Sequence, residues 1–236
     1  MPSVVPARGA SPAPEGGSDR RLRLHFVRHG QTTATVEGRF CGLTECELTD
    51  DGRLMGSYLA EYCAASGRWL AAYSSPLRRC VETVHPAAER LGLTVLTEQG
   101  LREVDHGAWD GRLAQEVARD DAAAFTAWQE HPGWRSAPGG ENGFAVAARA
   151  VAVVDAVRSR HAADTGDVLV ATHKAVVRAV ACVLLGIDVD RYRERLACPV
   201  GSLTTFEFRP GGDEALLLDL GDVSYLPAAL RAAADA

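Results

Sequence analysis

The chain has 236 residues and a formal net charge of −6, with 47% hydrophobic and 24% charged residues. These proportions are typical of a globular protein with a sizeable core, and they exclude a chain that is disordered throughout. The acidic balance argues against general nucleic-acid binding, which requires neutralisation of phosphates. The longest uncharged apolar run, residues 179–187, is too short to span a bilayer. We therefore expect one α/β domain at residues 21–236, with neither a nucleic-acid nor a membrane partner.

The cysteines and the residues at the start of the sequence indicate the cellular compartment of the protein. The cysteines form neither a CxxC pair nor zinc-finger spacing, and a chain of this length needs no disulfide bonds for stability. We expect reduced, mostly buried thiols. Residues 1–20 are rich in Pro, Gly and Ser and lack the apolar segment of a signal peptide, so we interpret them as a disordered leader of a cytoplasmic protein. The six cysteines are Cys41, Cys46, Cys63, Cys80, Cys182 and Cys198.

Strand and helix patterns alternate from residue 22 onwards. Short apolar runs that end at turn residues predict strands, and capping residues before longer amphipathic runs predict helices. Thr49 is predicted to cap one helix, whereas Pro86 is expected to kink or break the next. The predicted strands cover residues 22–27, 70–73, 93–97, 167–172, 202–208 and 215–220. The predicted helices cover residues 50–65, 76–91, 141–161, 175–185 and 190–196, and residues 98–140 are less regular.

This alternation predicts a mostly parallel sheet covered by helices on both faces. In open sheets of this kind, ligands bind beyond the carboxyl ends of the strands. His29 follows the first predicted strand, and His173 follows the strand at residues 167–172. We therefore expect the two histidines to lie together at a ligand site.

Several short motifs supply candidate chemistry. The imidazole of His29, beside Arg28, is suited to act as a nucleophile, a base or a metal ligand. Residues 74–79 open a helix with two arginines, an arrangement that favours phosphate. Glu103 is a candidate general acid, and Lys174 is a candidate anion ligand. Taken singly, each motif has an ordinary alternative, such as a capping arginine, a solvated basic helix turn or a surface carboxylate.

Together, the motifs occur in an order that resembles the histidine phosphatase superfamily, the phosphoglycerate mutase-like family. The resemblance covers about residues 22–226 and rests on five separated blocks. It implies a three-layer α/β sandwich with a mostly parallel central sheet. The blocks are residues 28–53 (with RHGQT, EGRFCG and LTDDGR), residues 74–83, residues 101–111, the PGGE turn at residues 138–141, and residues 172–178.

The resemblance also implies a mechanism for this chain. His29 is the nucleophile that forms a phosphohistidine, and Arg28, Arg79 and His173 bind the oxygens of the transferring phosphoryl group. Glu103 is the proton donor to the leaving alcohol and then the base that activates water. No metal and no other cofactor is expected, because the arginines and histidines supply the positive charge.

A further set of residues is expected to bind the substrate or its phosphate. Thr35 stands where the family often has Asn, and its shorter side chain changes the geometry of that contact. Lys174 stands where many members have Gly, and it either reaches the substrate or holds its charged head in solvent. Arg78 is expected to be exposed. The set comprises Gln31, Thr32, Thr35, Arg39, Cys41, Gly42, Lys174, His106 and Trp109.

The resemblance implies that residues 104–140 form the pocket rim or a lid. Trp109, Trp128 and Trp134 lie in this segment. Their rings are suited to stack on a sugar or a nucleobase, but packing of at least two of them in a core is the favoured interpretation.

The leading hypothesis is a phosphomonoesterase for a small phosphorylated metabolite. A phosphoglycerate mutase is the nearest alternative, but it must hold a multiply charged intermediate, and Arg112, Arg119 and Arg135 are outnumbered by the acidic residues around them. A family member that only binds phosphorylated ligands or a protein partner is a second alternative, and a metal-dependent hydrolase is a third. The resemblance also allows a homodimer.

Overall fold

The computed structural model describes residues 21–209, 212 and 214–234, so the predicted leader lies outside the described residues. The strands are β1 (Leu22–Arg28), β2 (Trp69–Ser74), β3 (Val95–Thr97), β4 (Gly166–Thr172), β5 (Leu203–Phe208) and β6 (Ala215–Asp222). The helices are α1 (Thr33–Glu37), α2 (Asp50–Ala65), α3 (Arg78–Leu91), α4 (Ala114–Asp120), α5 (Ala122–Glu130), α6 (Gly143–Arg160), α7 (Lys174–Leu185), α8 (Tyr192–Arg195) and α9 (Ala228–Ala234).

The six strands form one sheet in the order β3-β2-β4-β1-β5-β6. The first four are parallel, β5 runs antiparallel to β1, and β6 runs antiparallel to β5. At the carboxyl end of the central pair, Arg28 of β1 lies opposite Thr172 of β4. The residues that follow, His29 and His173, therefore leave the sheet side by side. The predicted mostly parallel sheet is confirmed.

Alternate residues of the central strands face two different helical layers. Leu24 and Phe26 pack in the core that α6 and α7 cover. Val27 points to the opposite face and packs with residues of α2 and α3. Since both faces of the sheet are apolar and covered, β4 carries a continuous hydrophobic run from Val168 to Ala171, as buried parallel strands do. The three-layer sandwich is confirmed.

Helix α2 is held tightly against the turn that follows β1. The Thr49 hydroxyl accepts a hydrogen bond from the Gly52 amide at 3.1 Å, so Thr49 caps the helix as predicted. A side chain on Gly30 would place its Cβ 2.4 Å from the Gly52 carbonyl oxygen. Glycine at both positions therefore allows the close backbone approach that fixes the turn carrying His29.

Some local features differ from the sequence-based expectations. Helix α3 continues through Pro86 to Leu91 instead of breaking there. Four short helices, α1, α4, α5 and α9, were not predicted, and β3 is shorter than the predicted strand at residues 93–97. None of the described helices is long and apolar enough to cross a bilayer.

The segment at residues 104–140 has a small core of its own. Trp109 and Trp128 are buried there with Val117 and Ala137, whereas Trp134 is 66% exposed. The expectation that at least two of the tryptophans pack in a core is therefore confirmed.

The expectation of six reduced thiols is wrong for one pair. Cys41 and Cys46 form a disulfide bond, whereas Cys63, Cys80, Cys182 and Cys198 are free and buried as expected. The pair lies in a turn whose backbone is folded back around one carboxylate, which brings the two sulfur atoms together over a short sequence separation.

Candidate active site

His29 lies directly beyond the carboxyl end of β1. Its backbone amide donates to the Thr172 carbonyl at 3.0 Å, which continues the pairing of β1 with β4 by one residue. The next amide, that of Gly30, donates to the Thr83 hydroxyl of α3 at 3.0 Å. These contacts fix the backbone on both sides of the imidazole, which is itself 5% exposed.

The hydrogen bonds of His29 define its tautomer. Nδ1 lies 2.8 Å from the Gly30 carbonyl oxygen, and because a carbonyl only accepts, Nδ1 carries the proton. Burial, together with the charges of Arg79 and Arg28, holds the pKa of His29 well below its usual range. The ring is therefore neutral at pH 7, and Nε2 keeps the free electron pair that a nucleophile needs.

Arg79 and His173 form a buried pair behind His29. The Arg79 Nε donates to the His173 Nδ1 at 3.3 Å, and the His29 and His173 rings lie 5.2 Å apart between centroids. Because Nδ1 of His173 accepts this hydrogen bond, Nε2 carries the proton of the neutral ring, and it lies 2.8 Å from the Ser75 hydroxyl oxygen. Burial, reinforced by Arg79, places the pKa of His173 well below its usual range.

The guanidinium of Arg79 is already largely engaged. Besides its contact with His173, it donates to the carbonyls of Thr44 at 3.1 Å, Cys41 at 3.3 Å and Gly42 at 2.7 Å. These bonds use four of its five N–H groups. Arg79 and His173 are both fully buried and do not contribute to the cavity wall. Their predicted direct contact with phosphoryl oxygens therefore remains a prediction.

Arg28 does reach the cavity wall. Its Nη1 donates to the Cys198 carbonyl at 2.7 Å, which anchors the guanidinium. Its Nε is buried without a hydrogen-bond partner among the described residues. A buried N–H group without a partner is costly, and a phosphoryl oxygen is a suitable acceptor for it.

Glu103 lines the same cavity as His29. Its Oε1 accepts a hydrogen bond from the Val104 amide at 2.9 Å, which holds the carboxyl group in one orientation. Burial raises the pKa of Glu103, although that amide and the nearby arginines oppose the rise. A raised pKa keeps the proton on the carboxyl to higher pH, as a proton donor requires.

Arg149 of α6 supports the turn that carries Glu103. It donates to the backbone carbonyls of Gly100 at 2.7 Å, Arg102 at 2.6 Å and Glu103 at 3.0 Å. The same guanidinium forms a two-pronged ion pair with Glu141, with both contacts at 2.8 Å. Arg149 and Glu141 thus position Glu103 without reaching the cavity.

Asp110 organises the turn that holds Arg79. Its carboxylate accepts hydrogen bonds from the amides of Gly42, Leu43 and Thr44 and from the Thr44 hydroxyl, at 2.6–3.1 Å. The carbonyls of this turn consequently point to the Arg79 guanidinium. The Cys41–Cys46 disulfide lies in the same turn.

The cavity has a volume of about 370 Å³. Of the predicted binding residues, Thr32, Thr35, Arg39, Cys41, His106 and Lys174 line it. Several of them are already engaged: the Thr35 hydroxyl donates to the Thr32 carbonyl at 2.7 Å, Arg39 pairs with Glu37 at 2.5 Å, and Cys41 is in the disulfide bond. Among the described residues, no three His, Cys, Asp or Glu side chains gather as metal ligands.

Three predicted binding residues do not line the cavity. The Gln31 amide donates to the Ala233 carbonyl at 3.3 Å and accepts from the Thr49 hydroxyl, so it ties the turn to α9 and α2. Gly42 serves the turn through its backbone. Trp109 is fully buried and donates to Asp121, so it belongs to the core of the 104–140 segment.

Several cavity residues escaped the sequence analysis. Arg178, Tyr192 and Arg193 line the cavity, and Ser75 contacts His173. Trp128, whose ring was considered for stacking on a substrate, lines the cavity as well. The Arg193 guanidinium stacks 3.7 Å above the Trp128 ring centre. The sequence signal that could have pointed to Arg193 was the basic character of residues 191–195. Arg112, Arg119 and Arg135, which the sequence analysis considered, do not line the cavity.

The sequence of the chain matches one known protein family. The description "Histidine phosphatase superfamily (branch 1)" matches residues 24–220 of the chain. The chain belongs to this superfamily. As a histidine phosphatase, it is a phosphoric monoester hydrolase, and the resemblance seen in the sequence is confirmed.

The relatives of this histidine phosphatase include named phosphatases. It is 33% identical to phosphoserine phosphatase 1 of Hydrogenobacter thermophilus over 72% of this chain and 80% of that one. It is 35% identical to glucosyl-3-phosphoglycerate phosphatase of Mycobacterium tuberculosis over 73% and 79% of the two chains. The solved structure of the mycobacterial glucosyl-3-phosphoglycerate phosphatase with inorganic phosphate superposes with a TM-score of 0.74 at 27% identity, covering 88% of this chain and all of that one.

Proposed function

We propose that this protein is a metal-independent phosphatase for small phosphorylated metabolites that works through a phosphohistidine on His29. The observation that carries the proposal is the hydrogen bond from His29 Nδ1 to the Gly30 carbonyl. It leaves Nε2 as the unprotonated nitrogen of a ring that lines the same cavity as Glu103, a carboxyl group whose pKa is raised. A nucleophile and a proton donor thus share one cavity.

In the first step, Nε2 of His29 attacks phosphorus and the bond between phosphorus and the ester oxygen breaks. Glu103 transfers its proton to the departing alkoxide, so the alcohol leaves neutral. Arg28, with its unpartnered Nε, stabilises the charge on the oxygens of the phosphoryl group. The positive charge of Arg79 is held close to His29 through its hydrogen bond to His173, whose ring centroid lies 5.2 Å from that of His29.

In the second step, water attacks the phosphorus of phosphohistidine. The Glu103 carboxylate accepts a proton from this water, the bond from nitrogen to phosphorus breaks, and inorganic phosphate leaves. His29 then regains its neutral form and Glu103 its proton. The fixed hydrogen bond at Nδ1 keeps the imidazole in one orientation through both steps.

The substrate class is supported by the size of the cavity and by the relatives. A cavity of about 370 Å³ accommodates a small phosphate ester. The named relatives act on phosphoserine and on glucosyl-3-phosphoglycerate, which are phosphorylated metabolites. We place the enzyme in the cytoplasm and assign the 104–140 segment the role of a cap over the cavity, which His106 and Trp128 of that segment line.

A substrate panel tests this proposal. Phosphate release is measured from phosphorylated sugars, glycerates, nucleotides and p-nitrophenyl phosphate, with and without EDTA. We expect strong preference for one ester, full activity with EDTA, and loss of turnover in His29→Ala but not in the matched control His85→Ala, since His85 is exposed on α3. Isomerisation of 3-phosphoglycerate that outpaces phosphate release would indicate a mutase instead. Binding of esters without any turnover would indicate a non-catalytic member.

A further inference from the structure

The cavity carries more positive charge than the transferred phosphoryl group requires. Among the described residues that line it, five are arginine or lysine and one, Glu103, is acidic. Arg39 has its own acidic partner in Glu37, and Arg28 adjoins His29, where the phosphoryl group binds. Three cations remain: Lys174 and Arg178 of α7, and Arg193 of α8.

These three cations have no acidic partner among the described residues. The Nε atom of Arg178 and the Nη1 atom of Arg193 are buried, with no hydrogen-bond partner in the part of the chain that the structure describes. Burial, with Arg28 and Arg178 adding to it, lowers the pKa of Lys174 to about 8. Like charges held together and partly away from water are unfavourable unless an anion joins them.

The position of these cations is fixed by the fold. Lys174 immediately follows His173 and Arg178 lies one helical turn further along α7, so both side chains are on the same face of that helix. Arg193 reaches the same wall from α8 and is held by stacking on Trp128 at 3.7 Å. A guanidinium anchored through its face leaves its N–H edge free to bind an anion.

We propose that Lys174, Arg178 and Arg193 form a second anion subsite, which selects phosphate monoesters whose alcohol part carries another anionic group. A carboxylate or a second phosphate has the required chemistry, since both accept forked hydrogen bonds from arginine. The inference rests on the proposed function, because it assigns the transferred phosphoryl group to the His29 side of the cavity. Esters with a neutral alcohol part leave this subsite unfilled.

Paired substrates that differ in one group test the subsite. The first pair is 3-phosphoglycerate and glycerol 3-phosphate, which differ in a carboxylate against a hydroxymethyl group. The second pair is propane-1,3-diol bisphosphate and its monophosphate, which tests a second phosphate. We expect kcat/KM to favour the more anionic member of at least one pair by about tenfold or more, the range of a hydrogen-bonded ion pair. The pair with the larger ratio identifies the anionic group.

Single substitutions show whether the three cations cause this preference. Lys174→Met is expected to reduce the preference about tenfold, and Arg193→Met at least as much. Arg135→Met, at an exposed arginine outside the cavity, is the matched control and is expected to keep the ratio. Equal loss on both members of each pair would show that the cations serve the transferred phosphoryl group, and would overturn the inference.

Binding to His29→Ala separates this inference from the mechanism. Titration calorimetry with the same pairs reports on the subsite even where no turnover occurs. We expect the more anionic ester to bind about tenfold or more tightly, and Lys174→Met in the same background to remove the difference. Hydrolysis of p-nitrophenyl phosphate together with equal affinities within both pairs would refute the subsite and leave the proposed function standing. Selective binding without any hydrolysis by the wild-type protein would support the subsite and refute the proposed function.

Discussion

Replacing Glu103 by glutamine removes the transferable proton while leaving the shape of the side chain almost unchanged. The remaining amide oxygen still accepts the Val104 hydrogen bond, which is 2.9 Å long in the wild-type protein. Arg149 contacts the backbone carbonyl of residue 103 and not its carboxyl group, so that support also persists. The substitution therefore isolates proton donation from positioning.

The expected loss depends on the leaving alcohol. A positioned general acid contributes about 10²–10⁴-fold, which corresponds to about 2.7–5.5 kcal/mol of transition-state stabilisation. An alkyl phosphate needs this proton, because an alkoxide is a poor leaving group, and it should show the full loss in kcat. p-Nitrophenyl phosphate releases a much more acidic alcohol and should lose less than about tenfold.

Single-turnover release of alcohol from the two esters provides the assay, because it measures the first step alone. Glu89→Gln is the matched control: it makes the same chemical change at an exposed glutamate of α3, outside the cavity. We expect this control to affect both esters equally. Equal losses for both esters in Glu103→Gln would refute the assignment of Glu103 as the proton donor.

Three further predictions follow from the surroundings of the site. Arg149→Met removes three hydrogen bonds to backbone carbonyls and should lower the free energy of unfolding, measured by urea titration, by about 2–4 kcal/mol. It should also reduce the turnover of alkyl esters selectively, and unchanged stability would contradict the anchoring role of Arg149. Burial raises the pKa of Glu103, so kcat for an alkyl ester should fall as the pH rises through that pKa and the protonated carboxyl is lost. The pH profile of Glu103→Gln should lack this fall at alkaline pH, and its persistence would assign it to another group. Asp110→Ala should lower kcat/KM about tenfold or more, whereas reduction of the Cys41–Cys46 disulfide should change kcat/KM less than about threefold. The reason is that the Asp110 carboxylate holds the turn independently of the disulfide. A larger loss on reduction than in Asp110→Ala would make the disulfide the main support of the turn.

The central sheet and the pair of histidines at its carboxyl edge were predictable because their signals are local. The apolar runs that form β1 and β4 each end at a histidine, and parallel strands place their carboxyl ends at the same edge. The Thr49 cap and the long amphipathic helices follow from short-range rules as well. These features needed no knowledge of distant contacts.

Other parts of the site depend on contacts that no local pattern encodes. The stacking of Arg193 on Trp128 joins two segments far apart in the chain, and it converts a basic turn into one wall of the cavity. The Cys41–Cys46 bond follows from a turn organised by Asp110. Trp109 and Gln31 were expected to bind the substrate, because the sequence does not show the tertiary packing that occupies them. This packing buries Trp109 and ties the Gln31 amide to Ala233.

Trapping the covalent intermediate tests the central claim most directly. Rapid-quench mixing with a radiolabelled phosphate ester, followed by proteolysis and mass spectrometry, locates any phosphoryl group bound to the protein. We predict an acid-labile, base-stable adduct on His29 that is attached through Nε2, since Nδ1 is held by the Gly30 carbonyl. The adduct should be absent in His29→Ala and present in His85→Ala. Rapid hydrolysis of the ester without an adduct, or an adduct on another residue, would contradict the account.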